Sequence, residues 1–313
     1  MNLAPIVLFV YNRLDCLKKT IDHLQKNELA YDSELFIYSD GPKDSISIQK
    51  VKDVRSYISC ITGFKKVTVI ERGKNMGARD SVIGGVTEVI NKFGRVIVVE
   101  DDLITSRYFL RYMNEALTTY QSNDEVGSIC GYVYPISGLS DYFFIRSFSP
   151  WGWATWKRSW DLFERDSQLL LLRFIGEKYS DEISSYYKRL LKMEIRGVVS
   201  CWDIKWHFSL FCNDKLILYP GKTYVNNIGF GKDATHTNSF IDVPSMYNSK
   251  LQDEYSFYEI EVRMDSKAEK KHKFYIDNYK YIGLFHKIKM ILSGTFVRIK
   301  SLIKVFFVRF MKV

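Results

Sequence analysis

Three consecutive carboxylates follow an apolar run and are the clearest candidates for chemistry in the chain. In VIVVEDDL, residues 96–103, Glu100, Asp101 and Asp102 come directly after four apolar residues. Because side chains alternate along an extended segment, Glu100 and Asp102 are expected on one side and Asp101 on the other. Mg²⁺ and Mn²⁺ take carboxylate oxygens, and phosphate groups of a ligand can complete their coordination. The block is therefore either a site for a divalent metal that bridges to a diphosphate or a solvated strand end.

Polar side chains also follow the other apolar runs in the first hundred residues. Tyr11, Asn12 and Arg13 follow the first run, and Asp40 in the turn SDGP follows the second. The third run leads into RGKNMGAR, which ends at Arg79 and combines glycines with basic residues at a predicted helix start, an arrangement that favours anions. Taken singly, Asp40 could be a turn cap and Arg79 a surface base. Their occurrence in order favours one anion-binding site.

Alternating strands and helices would position these side chains. Short apolar runs separated by helical periodicity predict the order β-α-β-α, which is typical of a parallel sheet with helices on both faces. In such a sheet, ligands bind at the carboxyl ends of the strands, which is where these side chains occur. The predicted strands are residues 6–10, 35–39, 67–71 and 96–99, and the predicted helices are residues 15–25, 47–58 and 78–92.

The middle of the chain is rich in aromatic residues and contributes two further candidates. The segment SPWGW contains Trp151, Gly152 and Trp153, and tryptophan faces stack well on the C–H faces of sugars. The segment CWDIKW places Asp203 between two tryptophans, where partial desolvation would raise the pKa of its carboxyl and suit it to general-base catalysis. The alternatives are tryptophans of the core, and a structural Asp203 that caps a helix or pairs with a basic side chain.

The segment from about residue 283 to residue 313 combines apolar and basic residues at helical spacing. Ile, Leu and Phe recur at three- and four-residue steps, Lys and Arg lie between them, and Asp and Glu are absent. This predicts a basic amphipathic helix of the kind that lies on an anionic membrane surface. The alternatives are a helix that packs on the domain or binds a partner. Because much of the net charge of +9 lies here and no nucleic-acid motif occurs, no nucleic-acid partner is predicted.

The composition is that of a folded chain. Of 313 residues, 46% are hydrophobic and 15% aromatic, which excludes a disordered protein. The five cysteines are widely spaced without a CxxC pair, a pattern typical of reduced thiols in a cytosolic protein rather than of a disulfide framework or a zinc site. The N-terminal apolar run reads as a strand and not as a signal peptide, and no window has the length of a transmembrane helix.

Taken together, these motifs resemble those of glycosyltransferases of the GT-A fold, and among them the N-acetylglucosaminyltransferase I-like group. The motifs are PIVLFVYNR, SDG, NMGAR, EDD, SPWGW and CWDIKW, and the resemblance spans residues 3 to about 240. It implies an α/β, Rossmann-like, mostly parallel sheet flanked by helices. The expected organisation is a donor-binding half over residues 1–127, an acceptor-binding and catalytic half of the same domain over 128–260, and an extension over 261–313 that carries the membrane-associating helix.

The resemblance also implies roles for individual residues. Asp102 matches the ligand of a divalent metal, Mn²⁺ or Mg²⁺, on the donor's diphosphate, and Asp203 matches the catalytic base. Asp40 matches a position at the nucleotide base, and a loop over residues 227–238 is expected to close over the diphosphate. The residues expected to bind the donor are Val10, Tyr11, Asn12, Arg13, Asp40, Arg79, Glu100, Asp101, Trp151, Gly152, Trp153, Lys232 and His236.

These roles predict a metal-dependent, inverting glycosyltransferase that moves a sugar from a nucleoside diphosphate, with UDP favoured, to a hydroxyl of a glycan or lipid-linked glycan. The cysteine pattern and the basic C-terminal segment favour a cytoplasmic position at the inner face of a membrane, where surface polysaccharide synthesis is the expected role. One alternative is a retaining GT-A glycosyltransferase. A sugar nucleotidyltransferase is disfavoured because VYNRLDCLKK lacks a glycine-rich phosphate loop. The remaining alternative is a non-enzymatic carbohydrate-binding or membrane scaffold protein.

Overall fold

An eight-stranded sheet organises the protein. The computed structural model describes residues 3–175, 183–230 and 247–278. The strands are β1 (Ile6–Val10), β2 (Glu34–Ser39), β3 (Lys66–Glu71), β4 (Arg95–Glu100), β5 (Leu103–Thr105), β6 (Val126–Cys130), β7 (Tyr142–Ile145), β8 (Trp153–Trp156), β9 (Leu216–Pro220) and β10 (Val225–Asn227). The helices are α1 (Leu14–Gln25), α2 (Ser45–Ile58), α3 (Gly77–Phe93), α4 (Phe109–Thr119), α5 (Lys157–Trp160), α6 (Ser167–Ile175), α7 (Ser185–Ile195) and α8 (Trp202–Phe211). Residues 266–278 are also helical.

The first four strands of the sheet form the predicted parallel unit. Their order is β3-β2-β1-β4, and every pairing among them is parallel. Val10 lies opposite Ser39, and Phe9 lies opposite Glu100. Because neighbouring strands end at nearly the same level, the residues that follow β1, β2 and β4 emerge at one edge of the sheet. This confirms the α/β, largely parallel architecture expected from the sequence.

The second half of the chain extends the same sheet. β8 pairs antiparallel with β4, and β6, β9 and β7 continue the sheet beyond it. The expected boundary at residue 127 lies inside β6. A separate two-stranded ladder joins β5 to β10, so the backbone at residues 225–227 lies directly beside the strand that follows the three carboxylates.

Two hydrophobic layers cover the faces of the sheet. The alternating side chains of β1 divide between them: Ile6, Leu8 and Val10 face one cluster, and Val7 and Phe9 face the other. All five residues are buried, as expected for a central strand with helices on both faces. The second cluster also contains Trp153 of β8 and the tryptophans of α5 and α8.

Several features expected from the sequence lie outside the described residues. These are Lys232, His236, the distal part of the 227–238 loop and the basic segment 283–313. In the described part of the chain, no helix combines the length and the apolar character needed to cross a membrane. The five cysteines are free thiols.

Candidate active site

Arg13 joins the polar ends of β1 and β4. It stands at the start of α1, and its guanidinium donates to Asp102 Oδ2 at 3.0 Å and pairs with Asp101 Oδ1. Asp101 is fixed further, because the backbone N–H of Tyr11 donates to its Oδ2 at 3.3 Å and Thr20 Oγ1 donates to its backbone carbonyl at 2.9 Å. The structure thus brings together Tyr11, Arg13 and the two aspartates, as their positions in the sequence suggest.

The negative charge of this cluster exceeds what Arg13 can balance. Burial raises the pKa of Glu100, and the charges of Asp102 and Asp101 raise it further. The pKa of Asp101 is also raised by burial, although Arg13 opposes the change. Burial alone would lower the pKa of Arg13, but the surrounding carboxylates reverse the direction and raise it. Such a group of partly desolvated acids favours an additional cation.

Gly229 lies directly against the Asp102–Arg13 pair. A Cβ atom built on Gly229 would overlap the Asp102 carboxylate, at 2.8 Å from its Cγ, and would lie 2.9 Å from Arg13 Nη1. The segment is held there by β10 and by the Ile228 N–H, which donates to the backbone carbonyl of Asp102 at 2.8 Å. Only glycine allows the backbone to approach the carboxylate this closely.

Asp40 holds the turn that precedes α3. Its Oδ1 accepts from the N–H groups of Gly41 (2.9 Å) and Met76 (2.8 Å), and its Oδ2 accepts from Asn75 Nδ2 (3.0 Å) and the Gly77 N–H (2.9 Å). Gly77 has a φ of 74°, a left-handed conformation that glycine adopts without strain. These bonds use the four acceptor positions of the carboxylate. A contact between Asp40 and a nucleotide base therefore requires that one of them be exchanged.

Arg79 lies in the first turn of α3 and points toward the second half of the chain. It pairs with its neighbour Asp80 at 3.1 Å and with Glu194 Oε1 at 3.6 Å. Glu194 also binds Lys205 Nζ at 3.1 Å through Oε1 and accepts the Cys201 N–H at 2.9 Å through Oε2. A charge network therefore connects the start of α3 to the start of α8.

Asp203 stands in the first turn of α8 and is half-buried. Its charge contributes to the raised pKa of Glu100, which places the two carboxylates within Coulomb range of each other. The flanking Trp202 and Trp206 point into the core, where they are 5% and 0% exposed. The two tryptophans therefore anchor one side of the helix in the core, and the half-buried Asp203 lies within Coulomb range of Glu100.

The two tryptophans of SPWGW have different environments. Trp151 is half-buried and lies in an aromatic group, with ring centroids 4.6 Å from Tyr132 and 6.4 Å from Phe230, the residue after Gly229. Trp153 is fully buried in β8 and stacks on Trp202 at 5.4 Å. The expectation that Trp153 lines a sugar pocket does not fit this position, because a strand residue inside the core presents no surface to a ligand.

Gly152 and Val10 contribute backbone rather than side chains. Gly152 has a φ of 66°, and a Cβ there would lie 2.7 Å from Val225 Cγ2, so a larger residue would push against β10. Val10 is buried, and its carbonyl accepts the Asp40 N–H at 3.0 Å. Asn12 is half-buried beside Arg13. These residues shape the edge of the site.

The carboxylates fit a divalent metal held jointly with a ligand. In residues 3–175, 183–230 and 247–278, no three His, Cys, Asp or Glu side chains converge into a closed metal cage. Such a cage is not required, since one or two carboxylates and the phosphates of a substrate suffice for Mg²⁺. Asp102 offers an oxygen at the surface of an acid cluster whose charge is only partly offset by Arg13. The donor set and the local charge are therefore compatible with a metal.

Comparison with known families decides what this arrangement belongs to. The sequence profile described as "Glycosyl transferase family 2" matches residues 6–170, which is more than half of the chain. The chain belongs to this family. The protein is thus a glycosyltransferase, and both the enzyme class and the GT-A fold predicted from the sequence are confirmed. The narrower resemblance to the N-acetylglucosaminyltransferase I-like group is not supported. Among curated proteins, none matches the chain.

Several solved glycosyltransferase structures are similar to this chain at low identity. S. aureus TarS is 12% identical over 71% of this chain and 36% of its own, with a TM-score of 0.43. S. aureus TarS 1-349 in complex with UDP-GlcNAc is 10% identical over 76% and 62%, with a TM-score of 0.46. The mannosyltransferase PcManGT from Pyrobaculum calidifontis, in complex with GDP-Man and Mn²⁺, is 11% identical over 67% and 68%, with a TM-score of 0.40. The chain covers less than two thirds of the length of either TarS structure, and the likeness concerns the fold alone.

Local sequence patterns do not predict the contacts of Glu194 and Gly229, although Gly229 lies in the predicted 227–238 loop. Glu194 lies in α7, and its burial between Arg79 and Lys205 depends on the packing of three helices. The contact of Gly229 with Asp102 depends on the pairing of β10 with β5. The Arg79–Glu194 and Asp102–Gly229 contacts each join residues more than a hundred positions apart, and local sequence patterns do not reveal such contacts.

Proposed function

We propose that this glycosyltransferase is metal-dependent and inverting, and that it transfers a sugar from a nucleoside diphosphate to a hydroxyl of a glycan or lipid-linked glycan. The observation that carries the proposal is the cluster of Glu100, Asp101 and Asp102 around the Arg13 guanidinium at the carboxyl edge of the sheet, with Asp203 within Coulomb range of Glu100. A nucleotide-sugar site needs a cation held near a diphosphate and a base held near an acceptor, and this cluster can provide both.

The donor side is assigned to the ends of the parallel strands. Asp102 would hold the metal, which when bound stabilises negative charge on the departing diphosphate as a Lewis acid. Arg13 offsets part of the acid charge and keeps Asp101 and Asp102 in place. Glu100 and Asp101 are assigned to the donor's sugar and ribose, and Asp40 keeps the Asn75–Gly77 turn at the donor edge.

The acceptor side is assigned to α8 and its neighbours. An Asp203 carboxylate oxygen takes the proton of the acceptor hydroxyl while the hydroxyl oxygen attacks the anomeric carbon and the bond to the diphosphate breaks. A single displacement from the opposite face inverts that carbon. Trp151 is assigned to the sugar because it is half-buried, lies next to Phe230 and has an aromatic face suited to C–H groups. Trp153 is left out because it is fully buried.

The donor nucleotide and the place of action are proposed from separate observations. TarS is described with UDP-GlcNAc and PcManGT with GDP-Man and Mn²⁺, so uridine and guanosine donors are the first to test. The basic residues of segment 283–313 support a peripheral position at an anionic membrane surface, with synthesis of a surface polysaccharide as the process served. The closing role of the 227–238 loop, including Lys232 and His236, is part of the same proposal.

Two substitutions test the roles of the acids. Asp102→Asn should abolish Mn²⁺-dependent transfer, and Asp203→Asn should lower kcat about 100- to 10,000-fold while donor binding persists, because a general base contributes that much. Asp161→Asn is the matched control, since Asp161 is an exposed acid paired only with Lys157 in the described residues.

A panel of nucleotide sugars, assayed with and without Mn²⁺, gives the activity, and NMR of the product gives the anomeric configuration. Retention of configuration, or full activity of Asp102→Asn, would contradict the proposal.

A further inference from the structure

Glu194 is a buried carboxylate in a position that needs an explanation. Its side chain is only 3% exposed and lies near the C-terminal end of α7, in an element different from the one that carries Glu100, Asp101 and Asp102. A buried charge is costly unless it is paired and hydrogen-bonded. Glu194 meets this requirement with three partners: the Lys205 ammonium, the Arg79 guanidinium and the Cys201 backbone N–H.

Two of these partners lie on either side of Asp203 in the chain. Cys201 immediately precedes α8 and has no side-chain cap, so the carboxylate of Glu194 satisfies a backbone N–H at the start of that helix. Lys205 lies one turn along α8, is 11% exposed and also donates to the Arg165 carbonyl at 3.0 Å. Glu194 therefore holds the residues two before and two after Asp203.

The third partner connects this arrangement to the donor side. Arg79 belongs to the first turn of α3, directly after the turn that Asp40 holds, and α3 packs against α8. Arg79 Nη1 reaches Glu194 Oε1 at 3.6 Å, a longer distance than the 3.1 Å to Lys205. The Lys205 and Cys201 contacts are therefore the stronger anchors, and the Arg79 contact orients α8 relative to α3.

We propose that Glu194 is a positioning residue for the base Asp203. It fixes the first turn of α8 through Cys201 and Lys205 and ties that turn to α3 through Arg79. This inference rests on the proposed function, because it presumes that Asp203 takes the acceptor proton. A reacting group must be held within a fraction of an ångström of its productive position. Loss of the three contacts of Glu194 should therefore reduce turnover more than it reduces donor binding.

The test is a double-mutant cycle with Glu194→Gln and Asp203→Asn. Glutamine keeps an acceptor for the Cys201 N–H but removes the charge that holds Lys205 and Arg79. We expect Glu194→Gln to lower kcat about 10-fold or more, as loss of a supporting partner commonly does, with the donor KM within about twofold of wild type. The pH profile of kcat should shift as well. In the Asp203→Asn background, Glu194→Gln should cause no further loss, because residues that act as a unit are non-additive.

Asp277→Asn is the matched control. Asp277 is a partly buried acid that holds the other end of α7 by accepting from Ser184 Oγ at 2.6 Å and Ser185 Oγ at 2.8 Å. If loosening of α7 were the cause, Asp277→Asn would lower kcat in the same way and Glu194→Gln would still reduce the residual activity of Asp203→Asn. Either result overturns the proposal. If Glu194→Gln does not fold, Lys205→Gln, which cuts one anchor, must show the same non-additivity.

The two proposals fail in different ways. If Asp203→Asn retains wild-type turnover, then Asp203 is not the base, and the proposed mechanism and the positioning role are both wrong. If Asp203→Asn loses turnover while Glu194→Gln keeps wild-type kcat and pH profile, only the positioning role is wrong. Donor binding, measured by calorimetry for each variant with Mn²⁺ present, separates losses in catalysis from losses in affinity.

Discussion

At the residue scale, the packing of Gly229 on Asp102 links the proposed metal ligand to the backbone that follows β10. Replacing Gly229 by alanine puts a methyl group where the Asp102 carboxylate and Arg13 Nη1 now lie. The carboxylate or the backbone must then move, and we expect Gly229→Ala to weaken Mn²⁺ binding and to lower activity at least about 10-fold, since small misplacements of site groups are costly. Mn²⁺ titration followed by electron paramagnetic resonance measures the binding step.

Gly73→Ala provides the comparison for that substitution. No atom lies within 4 Å of a Cβ at Gly73, although it belongs to the loop that leads to α3 at the same edge of the sheet. Gly73→Ala should leave Mn²⁺ affinity and activity within about twofold, because surface changes away from special features have small effects. Equal Mn²⁺ affinity in the two alanine variants would show that the close approach at Gly229 has no role in holding Asp102.

Single residues also show which features of the site can be predicted from the sequence and which cannot. The convergence of Arg13 with Asp101 and Asp102 follows from strand ends that meet at one edge, so the motif order was enough to predict it. The segment SPWGW predicts a sugar-binding role for Trp153, but a tryptophan at this position fits the core as well. Burial separates these possibilities, and burial depends on β8 lying between β4 and β6, which no local pattern encodes.

At the element scale, α8 and the helical residues 266–278 bury two histidines close to each other. His207 and His272 are each 1% exposed, and burial lowers the pKa of both to about 3, with the charge of His272 adding to the effect on His207. Tyr187 faces His207 at 4.2 Å between ring centroids, and Tyr219 faces His272 at 5.6 Å. The folded protein therefore keeps both imidazoles neutral through the physiological range of pH.

This burial predicts that the protein becomes less stable as the pH falls below the ordinary histidine pKa of 6.5. The unfolded chain then binds protons that the folded state binds only near pH 3, so the free energy of unfolding decreases between these values. One pH unit below 6.5, each histidine should cost about 1 kcal/mol. Urea unfolding measured from pH 8 to pH 4.5 should show a smaller decrease in the free energy of unfolding for His272→Leu than for wild type. An identical pH dependence of this free energy in the two proteins would contradict this account.

The elements themselves were largely predictable because each strand of the first half is short, apolar and followed by a helical pattern. β1 was predicted with the bounds that the structure has, and β2 and β3 to within one residue. The positions of β6 to β9 were not predictable, since their order in the sheet does not follow the chain. The contacts of Glu194 with Arg79 and Lys205 are likewise not predictable from local patterns, because they depend on how α3, α7 and α8 pack together.

At the scale of the whole molecule, the distribution of charge is the main feature. Segment 283–313, which lies outside the described residues, has seven Lys and Arg residues and no Asp or Glu, against a net charge of +9 for the chain. The remainder of the protein is therefore close to neutral, although its site gathers several acids. A positive segment joined to a nearly neutral enzyme can direct the enzyme to an anionic surface without strengthening nonspecific contacts elsewhere.

Deletion of residues 283–313 should therefore remove membrane binding and leave the fold intact. Each Lys or Arg near an anionic surface contributes about 1 kcal/mol, so the full chain should sediment with vesicles that contain phosphatidylserine and much less with phosphatidylcholine alone. The matched control keeps the apolar residues and replaces the seven Lys and Arg residues of the segment by Gln, which separates charge from hydrophobic insertion. The truncated chain should keep its thermal unfolding midpoint and its activity on a soluble acceptor. Unchanged sedimentation of the truncated chain would place the membrane contact elsewhere in the protein, and loss of its unfolding transition would show that the segment is part of the folded core.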